Sequence, residues 1–275
     1  MQEETNNILG RDQEKIANKI TKFITDKKDE TQSSGIVIGL SGGLDSSTTA
    51  YLCAKAVKSN QILGIIMPTT TTSNEDIEDA ITVAKTLKIE YEIIDVDNLI
   101  EPFNDLCTHS KRTEETLHKL ANANLKARIR MMILYYHANK LNRLVVGTGN
   151  RTELLIGYFT KYGDGGVDIL PIGDLYKTEV KLLATHIEVP TKIIEKPPTA
   201  GLWPGQTDEK ELGIKYELLD KILYLMVDKN MEDTNIAQKL NITIEEVLRI
   251  KDKVNNAVHK LKTAPSPDIF NQPKL

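Results

Sequence analysis

The amino-acid sequence predicts an α/β fold: a doubly wound parallel sheet of about five strands with helices on both faces and a helical C-terminal extension. Three observations carry that expectation. Short runs rich in β-branched residues recur at 36–40, 62–67, 91–96 and 144–146, and helical periodicity fills the stretches between them. Strands alternating with helices of this length imply right-handed crossovers, and therefore parallel neighbours. Beyond about residue 211 the pattern is helical only. At 275 residues and 40% hydrophobic content the chain can bury a full core, and one domain is expected over residues 1–275. Its core spans about 30–190, with a lid loop and helices at about 191–275.

Taken in order, residues 13–24 carry apolar groups at 16, 17, 20 and 24, a helical spacing. Ile36-Val37-Ile38, between Gly35 and Gly39, is the first strand. A helix over 46–57 follows, with Thr49, Leu52, Cys53, Ala56 and Val57 on its apolar face. The second strand, 62–67, ends at Pro68 and a threonine run, 69–72. That run reads as a polar loop, and it also lies where doubly wound sheets bind ligands. Ser73 and Asp76 are spaced like a capping box and open a helix to about Leu87, after which 91–96 forms the third strand.

Residues 99–112 read as irregular. A long helix follows over 114–141, surrounded by apolar groups at Leu125, Ala127, Ile129, Met131, Met132, Ile133, Leu134, Tyr135 and Tyr136. Such a helix needs cover on most sides: the sheet on one, and either a second subunit or more of the same chain on another. The fourth strand, 144–146, leads through Gly147-Thr148-Gly149-Asn150 into a helix over 151–158. Residues 160–168 are glycine-rich and expected to be mobile; an extended piece ends at Pro171, and 177–186 is helical. Residues 192–213 gather Pro197, Pro198, Gly201, Pro204 and Gly205 around Trp203, a length that suits a lid or binding loop. Helices are expected over 211–227, 233–240 and 244–261. Residues 235–243 read like a helix-turn-helix, but Glu245, Glu246 and Asp252 suit its second helix poorly to phosphates, so it is taken as a packing motif without nucleic acid.

Composition narrows the classes further. A net charge of −4 with both signs mixed gives no global basic field for nucleic acid. The two cysteines, Cys53 and Cys107, form no C-x-x-C pair, which argues against a zinc ribbon, a disulfide framework or sulfur-transfer chemistry. His109, His118, His137 and His186 show no metal-ligand spacing. No long apolar run suggests a membrane span, so a soluble, cytoplasmic protein is expected.

The chemistry centres on Gly39-Leu40-Ser41-Gly42-Gly43-Leu44-Asp45-Ser46, between the first strand and the following helix. Backbone N–H groups and a helix N-terminus converge there, and glycines let the backbone approach an anion. No lysine follows as in a Walker A loop, and the glycines miss the dinucleotide spacing. The stretch does satisfy G-x-S-x-G, the nucleophile elbow, although that elbow normally follows several strands. A plain glycine turn is the remaining structural alternative. The S-G-G-x-D-S pattern closely resembles the loop of ATP pyrophosphatases, which cleave ATP between its α and β phosphates.

Further motifs make the resemblance specific. Asn124-Leu125-Lys126-Ala127-Arg128-Ile129-Arg130, Gly147-Thr148-Gly149-Asn150-Arg151-Thr152-Glu153 and Gly157-Tyr158-Phe159-Thr160-Lys161-Tyr162-Gly163-Asp164-Gly165-Gly166 are similar to motifs of NAD synthetases. So are Pro171-Ile172-Gly173-Asp174-Leu175-Tyr176-Lys177-Thr178-Glu179, Lys196-Pro197-Pro198-Thr199-Ala200-Gly201-Leu202-Trp203, Gln206-Thr207-Asp208-Glu209 and His259-Lys260. The resemblance runs through nearly the whole chain in the expected order.

It implies a two-step amidation: ATP adenylates the nicotinate carboxylate of deamido-NAD, and ammonia then displaces AMP to give NAD. By resemblance, residues 39–46 cradle the phosphates, and Asp45 and Glu153 hold Mg²⁺. Asp45 is alternatively an N-cap of the helix that follows. Thr148, Lys177 and Thr199 carry over as ATP contacts, and Asp45, Glu153 and Lys177 are counted as catalytic. Arg128, Lys161, Asp168, His259 and Lys260 carry over to deamido-NAD, Arg128 from the partner subunit of a homodimer. Arg130 lies roughly 200° around the helix from Arg128 and is not expected to reach the same site. Two departures stand out: Gly149-Asn150 replaces the Asp-His of the widespread bacterial form, and Leu261 replaces the arginine that usually follows His-Lys. The chain has no room for a glutaminase domain, so free ammonia is the expected nitrogen source.

Overall fold

The structure, a computed structural model, describes residues 11–107, 115–199, 207–267 and 269. Strands β1 (Gly35–Gly39), β2 (Ile62–Ile66), β3 (Glu90–Ile93) and β4 (Arg143–Val146) form one parallel sheet in the order β3-β2-β1-β4. Ile38 of β1 pairs with Gly64 on one side and Val146 on the other. The chain winds outward from β1 to β2 to β3, then crosses back to place β4 on the opposite side of β1. The winding therefore reverses between β1 and β4, and the loops leaving their carboxyl ends part to form a crevice.

The sheet has four strands among the described residues rather than about five. Ile169 makes one parallel bridge to Val146 where the fifth would lie. Pro171 follows two residues later and has no N–H to extend a ladder.

β1, β2 and β4 are buried on both faces, whereas the edge strand β3 is largely exposed, and alternate residues of the buried strands serve different cores. Ile36, Ile38, Ile62, Ile66 and Val146 face one core, shared with α1 (Gln13–Glu30), α2 (Leu44–Ala56), α3 (Asn74–Leu87), α7 (Lys177–His186) and α8 (Thr191–Ile194). Val37, Leu63, Ile65 and Val145 face the other, covered by α4 (Asp97–Cys107) and α5 (Glu115–Leu141). A third core holds the C-terminal helices α9 (Asp208–Leu212), α10 (Tyr216–Leu223), α11 (Asp233–Leu240) and α12 (Ile244–Leu261). Leu219, Ile222, Ile236, Val247 and Ile250 are fully buried in it, and Ile156 of α6 (Arg151–Ile156) and Tyr176 join it to the sheet layer. The residues that resembled a helix-turn-helix thus turn their apolar faces into this core.

Several element boundaries differ from the sequence expectation. The stretch beginning at 99 is helical, not irregular, up to Cys107, while 108–112 lie outside the described residues. Pro102 removes one backbone hydrogen bond from α4, but Ile100 is buried and anchors the helix to its core. β3 stops at Ile93, and α6 stops at Gly157, which caps it in the left-handed conformation (φ 70°). The helix expected over 211–227 is two, α9 and α10, and the last turn of α10 widens into a π-helix over Tyr224–Asp228. Residues 160–168 form a hydrogen-bonded turn in which Asp164 accepts from Thr160 N (2.9 Å) and Gly163 N donates to Thr160 O (2.9 Å). Trp203 and its neighbours over 200–206, the heart of the expected lid, lie outside the described residues.

Candidate active site

The loop between β1 and α2 opens into the crevice. Gly42 turns it with φ at 75°, and a Cβ there would stand 2.2 Å from the carbonyl oxygen of Asp76, so only glycine fits. The loop is braced by its own hydroxyls. Ser41 N donates to Ser46 Oγ (3.2 Å), Gly43 N to Ser41 Oγ (3.3 Å), and Ser46 Oγ to Gly43 O (3.2 Å). Gly43 is the N-cap of α2 and supplies no side-chain acceptor, so the first-turn N–H groups keep their capacity for an anion. Asp45 is accordingly not the cap. It sits in the first turn, and its carboxylate reaches across the crevice toward β4 and α7.

Across the crevice, Asn150 caps α6 in a reciprocal capping box. Its side chain accepts from Glu153 N (3.0 Å), and Glu153 Oε2 accepts from Asn150 N (3.3 Å). The Asn150 amide also donates to Asp45 Oδ1 (3.2 Å). Lys177, the first residue of α7, hydrogen-bonds through Nζ to Asp45 Oδ2 and lies 3.3 Å from Glu153 Oε1. Its position is fixed from below: Lys177 N donates to Thr152 Oγ1 (3.0 Å), and Thr152 donates to the buried Asp220 (2.6 Å).

The electrostatics of this trio are finely balanced. Burial works to strip Lys177 of its proton, but Asp45 and Glu153 win, and its pKa is held above the ordinary lysine value. Burial pushes the Glu153 carboxyl above the ordinary carboxylate range, with Lys177 pulling down and Asp45 pushing further up. A third carboxylate, Asp208, is buried nearby and also raised, by burial first, against the pull of Lys177 and hydrogen bonds from Tyr216 and Tyr158 (3.1 and 3.2 Å). The Tyr216 ring lies under Lys177 Nζ, 5.3 Å from centroid to nitrogen. One ammonium therefore serves a pocket of carboxylates, an environment that favours additional positive charge.

Asp45 and Glu153 offer hard oxygen donors on either side of one centre, and among the described residues no third acidic, His or Cys ligand joins them. That set suits Mg²⁺, which commonly takes one or two carboxylates and fills its remaining positions with phosphate oxygens and water.

The other anticipated residues fall into separate groups. Arg128, Lys161, His259 and Lys260 come together: Arg128 Nη2 donates to Lys161 O (3.4 Å), and Lys161 Nζ to His259 O (2.7 Å) and Lys262 O (3.0 Å). Lys260 Nζ donates to Gly157 O (2.7 Å) and Phe159 O (2.9 Å), so the end of α12 and the turn after α6 clasp each other. Asp168 is not part of that clasp; it accepts from Tyr135 OH (2.9 Å) and Val145 N (2.8 Å) beside β4. Thr148 lies in the turn after β4. Thr199 lines a cavity of about 460 Å³ with Ser73, Asp76, Lys192, Lys196 and Thr207. Arg130 points away from Arg128, its Nε donating to Met67 O (3.2 Å).

Sequence reasoning did not assign Asn150, Asp208 or Tyr216 a role. The Asn-x-x-Glu spacing signals a capping box at Asn150, and Gln206-Thr207-Asp208-Glu209 marks Asp208. Tyr216 carries no local signal.

A profile of the NAD synthase family matches residues 16–264. The NH(3)-dependent NAD(+) synthetase of Methanocaldococcus jannaschii is 50% identical over 262 residues, covering 95% of this chain and 100% of the relative. Among solved structures, an NMN synthetase from Francisella tularensis superposes with a TM-score of 0.82 at 34% identity, over 94% of this chain and 100% of that one. An NH3-dependent NAD synthetase from Campylobacter jejuni does so with a TM-score of 0.77 at 30% identity, over 94% and 100%.

Proposed function

The chain belongs to the NAD synthase family, and from that premise we infer that it amidates deamido-NAD with ammonia at the expense of ATP, giving NAD, AMP and pyrophosphate. The observation that carries this reading to particular residues is the convergence of Asp45, Glu153 and Lys177 on one centre at the reversal of the sheet, beside the Gly39–Ser46 loop.

In the first step a nicotinate carboxylate oxygen attacks the α-phosphorus and pyrophosphate leaves. In the second, ammonia adds to the acyl carbon, AMP departs with the bonding pair, and the nitrogen loses a proton. Two anions must meet in the first step, so fixed positive charge and N–H dipoles lower the barrier. Loop residues Gly39, Leu40, Ser41, Gly42, Gly43, Leu44 and Ser46 would cradle the polyphosphate with backbone N–H groups. Lys177 is poised to stabilise charge on the departing pyrophosphate. Asp45 and Glu153 would hold Mg²⁺, which when bound neutralises phosphate charge as a Lewis acid. Thr148 and Thr199 are assigned to ATP, and Arg128, Lys161, Asp168, His259 and Lys260 to the dinucleotide. We further propose a homodimer in which Arg128 serves the partner's site, and a cytoplasmic location. Among the described residues, no helix is long and apolar enough to cross a membrane.

The purified protein, mixed with ATP, Mg²⁺, ammonium and deamido-NAD, should form NAD, AMP and pyrophosphate in equal amounts, and omission of any reactant should stop NAD formation. Because one structural neighbour is named an NMN synthetase, nicotinate mononucleotide is the control acceptor. Faster turnover of the mononucleotide would overturn the acceptor while leaving the ATP chemistry in place. Absence of AMP and pyrophosphate would overturn the reaction class.

A further inference from the structure

Asn150, like Lys177, touches both carboxylates of the candidate cation site. It is fully buried at the head of α6. Its Oδ1 accepts from Glu153 N (3.0 Å), and this N–H fixes which way the amide lies, because an NH₂ group cannot accept. Nδ2 is then the atom that faces Asp45, donating to Oδ1 at 3.2 Å. The Asn150 backbone N–H in turn engages Glu153 Oε2 at 3.3 Å. One oxygen of each carboxylate is thereby committed to Asn150. The oxygens left over, Asp45 Oδ2 and Glu153 Oε1, are the two that meet Lys177 Nζ. The residue sorts the four oxygens into two that are anchored and two that converge.

We propose that Asn150 is a positioning residue that locks the loop after β1 to the helix after β4, so that Asp45 and Glu153 present one oxygen each to a divalent cation. This rests on the reading of those two carboxylates as the Mg²⁺ ligands. A neutral donor suits the task. An ammonium here would compete for Asp45, and a carboxylate would stand against Asp45 and repel it. The side chain's cap of α6 has a second consequence: it holds Glu153 in the first helical turn, so cap and cation site share one hydrogen-bond network.

Two variants keep the helix cap and remove the bond to Asp45. Asn150→Ser keeps an acceptor for the helix cap but is too short to reach Asp45. Asn150→Asp keeps size and cap but offers Asp45 no donor. Glu153→Gln tests the cation site itself. Mn²⁺ binding is measured by titration calorimetry with a non-hydrolysable ATP analogue present, alongside kcat and the Mg²⁺ concentration for half-maximal rate. Both Asn150 variants should bind the cation about 10–100-fold more weakly, the usual range for residues that orient metal ligands. Their kcat at saturating Mg²⁺ should fall much less, and both should melt below the parent, Asn150→Asp the more so because it buries a carboxylate against Asp45. Cation affinity within threefold of the parent in both variants, with Glu153→Gln impaired, would overturn the proposal alone. Unchanged affinity in Glu153→Gln would overturn the cation site and the proposal with it. ATP-analogue binding weakened equally with and without cation would also overturn it, since the loop rather than the ligands would then be what Asn150 shapes. If Asn150→Asp fails to fold, Asn150→Ser decides.

Discussion

Lys177 stands where two ordinary forces oppose a cation. It opens α7, where the helix dipole disfavours positive charge by about 0.3–1 kcal/mol, and it is buried. The two facing carboxylates, with Asp208 nearby, outweigh these costs. Lys177→Met should therefore lower stability by about 3–5 kcal/mol in urea denaturation, the range for leaving buried charge unpaired. Pairing it with Asp45→Asn should recover a substantial part of that loss; strictly additive losses would dissolve the pairing. Cys53 gives a second test at this scale. It is fully buried, and burial pushes its thiol from 9.0 up to about 12. Above pH 9 the unfolded chain releases this proton while the folded chain keeps it, so the native state binds more protons and loses stability as pH rises toward 12. The slope is about 1.4 kcal/mol per pH unit. Cys53→Ala should flatten the alkaline stability profile between pH 9 and 10.5, and a thiol reagent at pH 8 should modify exposed Cys107 and spare Cys53.

Elements in this protein are joined by buried polar side chains as well as by apolar packing. Asp220, on α10, accepts from Thr152 OH of α6 (2.6 Å) and from Thr178 N and OH of α7 (2.9 and 2.8 Å). It therefore ties the C-terminal core to the two helices that carry Glu153 and Lys177. Asp220→Ala would leave three donors without their acceptor and should cost about 3–5 kcal/mol, with Asp220→Asn intermediate. Equal stability of both variants in denaturant melts would show that water replaces the carboxylate. This hub also marks the limit of what one-dimensional reading sees. Strands such as Ile36-Val37-Ile38 and the helix Lys177–His186 were legible because β-branched runs and helical periods are local. Helix α4 was missed because Pro102 argues locally for a break, while the burial of Ile100 that sustains the helix is tertiary. Asp45 and Lys177 are 132 residues apart, and no spacing rule joins them; the family resemblance nominated both. Asn150, which the motifs marked only as a departure, needed coordinates to reveal its contact with Asp45.

At the scale of the whole molecule, α5 presents a face that the other described residues leave uncovered. Arg128, Met132 and Tyr136 recur every four residues and so share one stripe of the helix. Met132 and Tyr136 are 58% and 64% exposed, while Ile129 and Ile133, one position on from Arg128 and Met132, are buried against the sheet. An exposed methionine and tyrosine beside an arginine have the composition of an interface core. If this stripe is the dimer contact, Arg128 is carried to the boundary between protomers by the same helix that makes the contact. Assembly and dinucleotide binding then become coupled. Met132→Glu combined with Tyr136→Glu places charges in the apolar part of the stripe and should yield monomers in sedimentation velocity, with the fold intact by circular dichroism. Those monomers should need a higher deamido-NAD concentration for half-maximal rate, as Arg128→Ala should, with a much smaller change in the ATP requirement. Dimers that persist in the double variant would place the interface elsewhere on the molecule. Monomers with an unchanged deamido-NAD requirement would show that each chain completes its own site.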